Sequence, residues 1–199
     1  MSMAIKYKQQ TGGFALLITL IVVGVVLSVG LSILDLSIKQ INLSTASRDS
    51  ELAFHASSAG VECARYWRRA ASSTMEAMAP VNFECFGLTN SNVSPTIVSS
   101  GISGVGDVLH YDYQFTWGAN NDRCTEVTTF LMFGTLPPNP GVTITNTELR
   151  NIIPGYPAGP DKSCEAGAEC TVISVRGYNK SCANSTDYGV TEREVLLEF

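Results

Sequence analysis

The hydrophobic pattern divides the chain into an apolar N-terminal segment and a longer segment with strand-like alternation. From Phe14 to Leu34 there is no charged residue, and an apolar run of about 20 residues can cross a bilayer as a helix. Beyond it, apolar and small residues recur at spacings of three and four, and no proline precedes Pro80. That spacing is typical of one helix face. We therefore predict one continuous helix from about Phe14 to about Arg69.

The second half of this helix is expected to pack along one face. The positions of the stripe are Leu31, Leu34, Ile38, Ile41, Thr45, Leu52, Ala56, Ala59, Cys63 and Tyr66. Small residues are frequent between Ser44 and Gly60, and small residues allow another backbone to approach closely. Two interpretations remain open, because this pattern suits either close packing on a sheet or assembly with neighbouring helices.

Four later segments have the alternation or the β-branched content of strands. They are Val108–Trp117, Cys124–Phe133, Glu169–Tyr178 and Val190–Phe199. Turn-forming residues separate the first two segments, so we expect them to form an antiparallel hairpin. Segment 71–107 has loop composition, with a short strand near Thr96–Val98. Segment Gly134–Gly167 contains six prolines and is expected to be mainly loop, with a short strand near Val142–Thr145.

These elements predict an α+β protein in which a long N-terminal helix packs on a four-stranded antiparallel sheet. The expected divisions are a basic leader (1–13), a membrane-spanning helical segment (14–36), an amphipathic helical segment (37–70) and a globular β-rich head (71–199). The leader carries Lys6 and Lys8, and positive charge favours the cytoplasmic side of a membrane. The apolar run is too long for the core of an ordinary secretory signal.

Charge is distributed unevenly along the chain. Residues 1–70 carry seven Lys or Arg and four acids, whereas residues 71–199 carry six Lys or Arg and fourteen acids. The net charges of +3 and −8 give the total of −5. An acidic head repels phosphate backbones, so no nucleic-acid partner is expected.

Six cysteines all follow the apolar segment, and an even number beyond a membrane anchor predicts disulfide bonds in an oxidising compartment. No C-x-x-C pair occurs, and His55 and His110 lack ligand-like spacing to the cysteines, so we expect no metal and no cofactor. Several pairings are open, and the one we favour has the bonds Cys63–Cys85, Cys124–Cys182 and Cys164–Cys170.

Candidate chemistry elsewhere in the chain is sparse. No serine or cysteine motif accompanies the histidines, so we predict that the protein is not an enzyme. The acidic and amide residues that suggest a calcium site are Asp107, Asp112, Asn120, Asn121 and Asp122. Asn and Asp also favour turns, and the spacing does not match an EF-hand loop, so the turn explanation serves as well.

One motif lies at the start of the apolar run. Residues Lys8–Leu20, KQQTGGFALLITL, place a basic segment that ends in Gly13 directly before Phe14. This arrangement resembles the leader of type IV prepilins, and the order of elements resembles a pilin. The resemblance implies that prepilin peptidase cleaves between Gly13 and Phe14 and that the new N-terminus, Phe14, is methylated. The plainer alternative is a flexible diglycine joint before an ordinary anchor helix.

A second motif, Ala53–Trp67 (AFHASSAGVECARYW), is similar to a stretch of PilX-like minor pilins. The two motifs together cover about residues 8–67. The chain departs from the family at Ile18, the fifth residue of the implied mature chain, where most major pilins have Glu. In the family that carboxylate neutralises the N-terminal amine of a neighbouring subunit, and an unpaired buried charge is costly. Ile18 therefore favours a minor or tip subunit over a major one.

The resemblance implies a structural subunit of a type IV pilus or a related filament. Such a subunit is held in the inner membrane before assembly and lies in the extracellular filament afterwards. Its implied partners are other pilin subunits through the N-terminal helix, prepilin peptidase and the pilus assembly platform. Two alternatives remain open. One is a tip adhesin that binds a surface or host receptor, suggested by the long loop Gly134–Gly167. The other is a pseudopilin of a type II secretion system.

Overall fold

The computed structural model describes residues 12–118 and 120–199. Helix α1 runs from Gly12 to Ala70, 59 residues without a break. The chain divides into two compact units, the first ending at Ser47 and the second spanning Arg48–Phe199. The predicted long N-terminal helix is therefore confirmed. It continues without interruption because no proline occurs in it, and its last turn carries Arg68 and Arg69, whose charge suits a helix C-terminus.

Two short helices and ten strands follow within the described residues. The helices are α2 (Ser72–Glu76) and α3 (Asn146–Ile152). The strands are β1 (Val81–Cys85), β2 (Leu88–Val93), β3 (Thr96–Ile97), β4 (Ile102–Gly104), β5 (Gly106–Trp117), β6 (Arg123–Gly134), β7 (Val142–Ile144), β8 (Lys162–Cys164), β9 (Glu169–Tyr178) and β10 (Glu192–Glu198). One 3-10 turn covers Cys182–Asn184.

The central sheet is antiparallel with the strand order β10-β9-β6-β5-β3. The four predicted strands correspond to β5, β6, β9 and β10, and the predicted hairpin pairs Val108 with Met132 and Phe115 with Thr125. The expected count of four is wrong, because the two-residue strand β3 adds a fifth at the edge, pairing Thr96 with His110. The α+β class with antiparallel pairing is confirmed.

The two segments expected to be mainly loop contain more structure than predicted. Segment 71–107 forms α2 and the hairpin of β1 and β2, which closes through the pair Cys85 and Leu88. Segment 134–167 forms β7, α3 and β8, and β7 pairs with both β4 and β8 in a small separate sheet. Thr145 caps α3 by accepting a hydrogen bond from the Glu148 backbone N–H at 3.2 Å. That T-x-x-E capping box is a helix signal that the prediction missed.

The second unit has a core on each face of the central sheet, because side chains alternate between the faces along each strand. One core lies beneath the C-terminal part of α1 and includes Tyr111, Phe115 and Leu131. The other core lies on the opposite face, where Phe130 and Val172 pack with side chains of β7, β8 and α3.

The face that α1 buries differs in part from the predicted stripe, with which it shares Ala56. The buried positions of its C-terminal part are Ala53, Ala56, Ser57, Gly60, Val61, Ala64 and Arg68. Tyr66, a predicted stripe residue, is 63% exposed. Between Ala53 and Gly60 the helix lies so close to the sheet that only small side chains occupy the contact. Gly177 of β9 shows how close, since a Cβ there would collide with the Ala53 carbonyl oxygen and the Ser57 amide.

Candidate assembly helix and surface sites

The N-terminal part of α1 exposes its apolar side chains throughout. An apolar window of 18 residues in this helix contains no buried residue. Phe14 is 74% exposed and Leu20 is 69% exposed. Among the described residues α1 is the one helix long and apolar enough to cross a membrane. This segment therefore has the length and composition of a membrane anchor.

The hydroxyl groups within this segment are satisfied by the helix itself. Thr19 donates to the Leu16 carbonyl at 2.8 Å, Ser28 to the Val25 carbonyl at 2.8 Å, and Ser32 to the Ser28 carbonyl at 2.9 Å. A hydroxyl bonded to its own helix leaves no unpaired donor for a surrounding apolar medium. The segment therefore suits lipid and also suits a bundle of similar helices.

The residues implied in processing lie at the start of α1. Gly13 and Phe14 are both helical, and a Cβ placed on Gly13 would meet no atom within 4 Å. The leader lysines, Lys6 and Lys8, lie outside the described residues. The Gly13–Phe14 bond therefore lies at the N-terminal end of the apolar helix.

Ile18, the position that the sequence analysis singled out, is 44% exposed. The first acid of the described part of α1 is Asp35. Its carboxylate forms an ion pair with Lys39 of the next turn at 2.8 Å. Asp35, the first carboxylate in the described part of α1, therefore pairs within the same helix.

The contact between α1 and the sheet includes one buried chain of hydrogen bonds. Trp117 Nε1 donates to Thr125 Oγ1 at 2.9 Å, and Thr125 Oγ1 donates to the Ala56 carbonyl at 3.0 Å. Gly60 lies directly over Thr125 and Val175. This chain fixes the position of the helix across β5 and β6.

Arg68 forms a second link between α1 and the sheet. Its side chain is buried and donates to Thr171 Oγ1 at 3.0 Å. Its two terminal nitrogens face Glu76 at 3.4 Å and Glu169 at 3.3 Å. Only an arginine can reach three acceptors in this planar arrangement. The sequence placed Arg68 at the end of the helix without indicating that it is buried.

All six cysteines form disulfide bonds, namely Cys63–Cys85, Cys124–Cys182 and Cys164–Cys170. These are the three pairs that the sequence analysis favoured. The first joins α1 to the end of β1, and the second joins β6 to the 3-10 turn before β10. The third closes the short connection between β8 and β9. Each bond therefore ties a loop or hairpin to the central sheet or to its covering helix.

The two histidines lie in different surroundings. His55 is exposed on α1, 3.7 Å from the Glu51 carboxylate of the preceding turn. His110 Nδ1 lies 2.6 Å from Asp112 Oδ2, and its ring stacks on Phe130. Nothing brings the two histidines together into a shared site.

Asp112 belongs to a polar patch on the sheet face away from α1. Burial alone raises the pKa of this carboxyl, but hydrogen bonds from His110 and Thr128 outweigh it, so the net pKa lies below its usual value. Beside it Arg176 forms an ion pair with Glu126 at 3.0 Å. The patch therefore consists of internally paired groups.

The other residues of the suggested calcium site are dispersed. Asp107 lies at the start of β5, whereas Asn120, Asn121 and Asp122 belong to the turn between β5 and β6. Within the described ranges no group of three or more His, Cys, Asp and Glu side chains is placed to hold a metal ion. The Asn and Asp side chains are accounted for by the turn, where Asn121 has a positive φ of 54°.

The β1–β2 hairpin carries a surface feature that the sequence analysis missed. Phe86 occupies the turn and is 49% exposed, and its ring stacks against Trp117. The available signal was a Phe-Gly pair between two short alternating segments, a position where turns normally have Asn or Asp before Gly.

Comparison of the chain with protein-family models, with curated proteins and with solved structures finds no match.

Proposed function

We propose that this chain is a type IV pilin-like filament subunit and that it serves as a minor subunit near a filament tip. The observation that carries the proposal is helix α1. One unbroken helix combines an apolar segment without a single buried residue and a C-terminal part that covers an antiparallel sheet. A soluble protein has no use for an exposed apolar helical segment of this length. Such a segment suits a membrane or the helical core of a filament.

The proposed mechanism is a transfer of α1 between two apolar environments. The uncleaved protein is held in the inner membrane by residues 14–36. After prepilin peptidase removes residues 1–13, the assembly platform moves this helix from lipid into a bundle of like helices. The hydrophobic effect contributes little to this exchange, because lipid and bundle are similarly apolar, so packing and the assembly machinery drive it.

The tip position follows from Ile18 and Asp35. In the interior of a filament, the charged amine of each mature Phe14 needs an acidic partner. Ile18 cannot supply one, and Asp35 lies 21 residues further along α1, about 30 Å from Phe14, so it reaches such an amine only across a large axial offset between neighbouring subunits. A filament of this subunit alone would therefore bury one unpaired amine per subunit. A low-copy subunit beside a Glu-bearing major pilin avoids that repeated cost.

Mass spectrometry of the N-terminus tests this proposal. The protein purified from sheared filaments should begin at a methylated Phe14 and should be present far below the major subunit. Gly13→Val should block processing because a bulky residue replaces the implied cleavage-site glycine, while Gly12→Val serves as the neighbouring control. An intact leader in assembled protein, or long filaments formed by this chain alone, would refute the proposal.

A further inference from the structure

Strand β10 forms one edge of the central sheet, and the outer side of this strand carries backbone groups without a partner. Thr171 of β9 and Phe199 exchange backbone hydrogen bonds of 2.7 and 3.0 Å, so Phe199 directs its backbone towards β9. This direction alternates along an antiparallel strand. The residues that direct their N–H and C=O groups outward are therefore Glu192, Glu194, Leu196 and Glu198. Within the described residues none of these eight groups has a hydrogen-bond partner.

The outer edge of β10 lacks the features that usually protect an open edge. Such features are lysine, proline, a β-bulge or a covering segment. β10 contains neither lysine nor proline, and its pairing with β9 runs from Glu192 to Glu198 without a bulge. The opposite edge is partly covered, since β3 pairs with β5 and Asn90 of β2 donates to the Gln114 carbonyl at 2.8 Å. β10 therefore offers 7 residues, about 24 Å of strand, for further pairing.

The two faces of β10 differ in character. Val195 and Leu197 lie on the face towards α1, where they are half-buried against the core beneath that helix. Glu192 and Glu194 lie on the other face and are exposed. A strand added beside β10 would place its alternate side chains next to these two rows. Apolar side chains suit the first row, and basic side chains suit the second.

The acidic row carries a surplus of negative charge. Burial raises the pKa of Glu192, and the Glu194 and Glu126 carboxylates raise it further, against a lowering by Arg176. Arg176 itself forms an ion pair with Glu126 at 3.0 Å. Glu194 accepts a hydrogen bond from Ser174 at 2.6 Å, and this donor is uncharged. A basic side chain on an added strand would therefore supply a charge that this row lacks.

A second copy of β10 is a poor partner for this edge, because like charges directly opposite each other are destabilising. An antiparallel pair centred on Val195 places Glu192 opposite the Glu198 of the second copy. Centring the pair on Glu194 brings the two copies of that residue together. Centring it on Leu196 places Glu194 opposite Glu198. The edge therefore favours a different chain, with basic residues in alternate positions.

We propose that β10 binds an extended segment of another protein as a sixth strand of the central sheet. The segment pairs antiparallel, with basic residues opposite Glu192 and Glu194 and apolar residues opposite Val195 and Leu197. Main-chain hydrogen bonds give such a contact its affinity, and the side-chain rows give it specificity. This site does not depend on the filament function, because β10 lies wholly in the second unit.

The probe is the peptide acetyl-Thr-Val-Thr-Val-Lys-Thr-Lys-amide, whose order of residues matches β10 in the antiparallel direction. It is added to the full chain in phosphocholine micelles, and amide hydrogen exchange is followed by NMR. The peptide should slow the exchange of the Glu194 and Leu196 amides by at least about tenfold, because both amides gain an acceptor. The matched peptide with glutamate in place of both lysines should bind at least about tenfold more weakly.

Methylation of the peptide nitrogens separates strand pairing from simple charge attraction. In the proposed register the third and fifth peptide residues direct their N–H groups towards β10, and the second and fourth direct theirs away. Methylation at the third or fifth nitrogen should weaken binding by at least about tenfold, whereas methylation at the second or fourth should change it by less than about threefold.

Substitutions in the chain test the acidic row. Glu192→Gln combined with Glu194→Gln should weaken binding of the lysine peptide by about tenfold. Glu165→Gln is the matched control, since this exposed acid lies between β8 and β9, and it should leave binding unchanged.

Three results would overturn the proposal. They are no binding of the lysine peptide at about 1 mM, equal binding of the lysine and glutamate peptides, and equal effects of methylation at the second and third nitrogens. Protection of the Glu194 amide that grows with protein concentration, without any peptide, would also overturn it and would identify a second copy as the partner.

Discussion

Gly60 lies where α1 crosses β6 and β9, and the structure leaves no room there for a methyl group. The Cβ of an alanine at position 60 would lie 2.6 Å from Val175 Cγ1 and would also collide with Thr125 Cγ2. Both side chains are β-branched and fully buried, so neither can move easily. Turning Thr125 away would break its hydrogen bonds to Ala56 and Trp117.

The magnitude follows from opposing contributions. Overpacking costs about 1–3 kcal/mol, and each hydrogen bond lost adds about 1 kcal/mol. Alanine regains about 1 kcal/mol of helix propensity over glycine. With both hydrogen bonds lost, we therefore expect Gly60→Ala to lower the free energy of unfolding by about 2–4 kcal/mol. For a unit of this size that corresponds to a midpoint lower by about 4–16 °C.

The assay is thermal and urea unfolding of the full chain in micelles, followed by tryptophan fluorescence. Both tryptophans, Trp67 and Trp117, belong to the second unit, so the signal excludes the apolar segment. Gly24→Ala is the control in the same helix, because a Cβ there meets nothing within 4 Å, and it should leave this transition unchanged.

A double substitution tests the stated cause. Thr125→Ser removes the colliding methyl group but keeps the hydroxyl that bonds Ala56 and Trp117. Gly60→Ala combined with Thr125→Ser should therefore be less destabilised than the two single effects predict together. A higher midpoint for Gly60→Ala alone would show that the gain in helix propensity exceeds the cost of overpacking. It would contradict the close contact between Gly60 and the sheet.

Two further predictions concern other parts of the second unit. A hydrogen bond from Lys162, supported by one from Tyr156, lowers the pKa of Glu198 in the folded protein. The ionised Glu198 therefore contributes its full stability above the ordinary pKa of a glutamate. That contribution is lost as the pH falls through the lowered pKa of the folded state. When urea unfolding is compared at about pH 7 and about pH 3, the free energy of unfolding should fall less for Glu198→Gln than for the unaltered chain. An equal fall in both proteins would contradict this. Replacing Cys124 and Cys182 by Ala opens a loop of 58 residues and should cost about 4 kcal/mol, whereas replacing Cys164 and Cys170 opens one of 6 residues and should cost about 2 kcal/mol. Denaturant midpoints show which of the two variants loses more stability. A larger loss for the variant without Cys164 and Cys170 would rule out loop closure as the cause.

Periodicity predicted the long elements of this fold, whereas of the short ones only β3 and β7 were expected, near Thr96–Val98 and Val142–Thr145. Helix α1 and strands β5, β6, β9 and β10 are each long enough for their repeat to be read from the sequence. Strands β3, β4, β7 and β8 have two or three residues each, which is too short for a repeat. Turn chemistry offered signals that periodicity did not, in the Thr145 capping box and in the Phe86–Gly87 turn.

The candidate sites divide in the same way. Gly13, Phe14 and Ile18 are defined by their place relative to the apolar run, which is a property of the sequence. The stacking of Phe86 depends on Trp117, which is distant along the chain, so only folding brings them together. Arg68 is similar, since its partner Thr171 belongs to β9.

The sequence by itself determined the exposed apolar helix, the antiparallel strands and the even set of cysteines, because these follow from local composition and spacing. Only the tertiary structure decided which face of α1 is buried. The apolar stripe predicted that Ala56 and Tyr66 both point inward, yet only Ala56 does, and Gly60, which is outside the stripe, is buried beside it. The reason is the distance between helix and sheet, since between Ala53 and Gly60 only small side chains fit at this separation. Such a distance depends on both surfaces at once, and no single segment of sequence contains it.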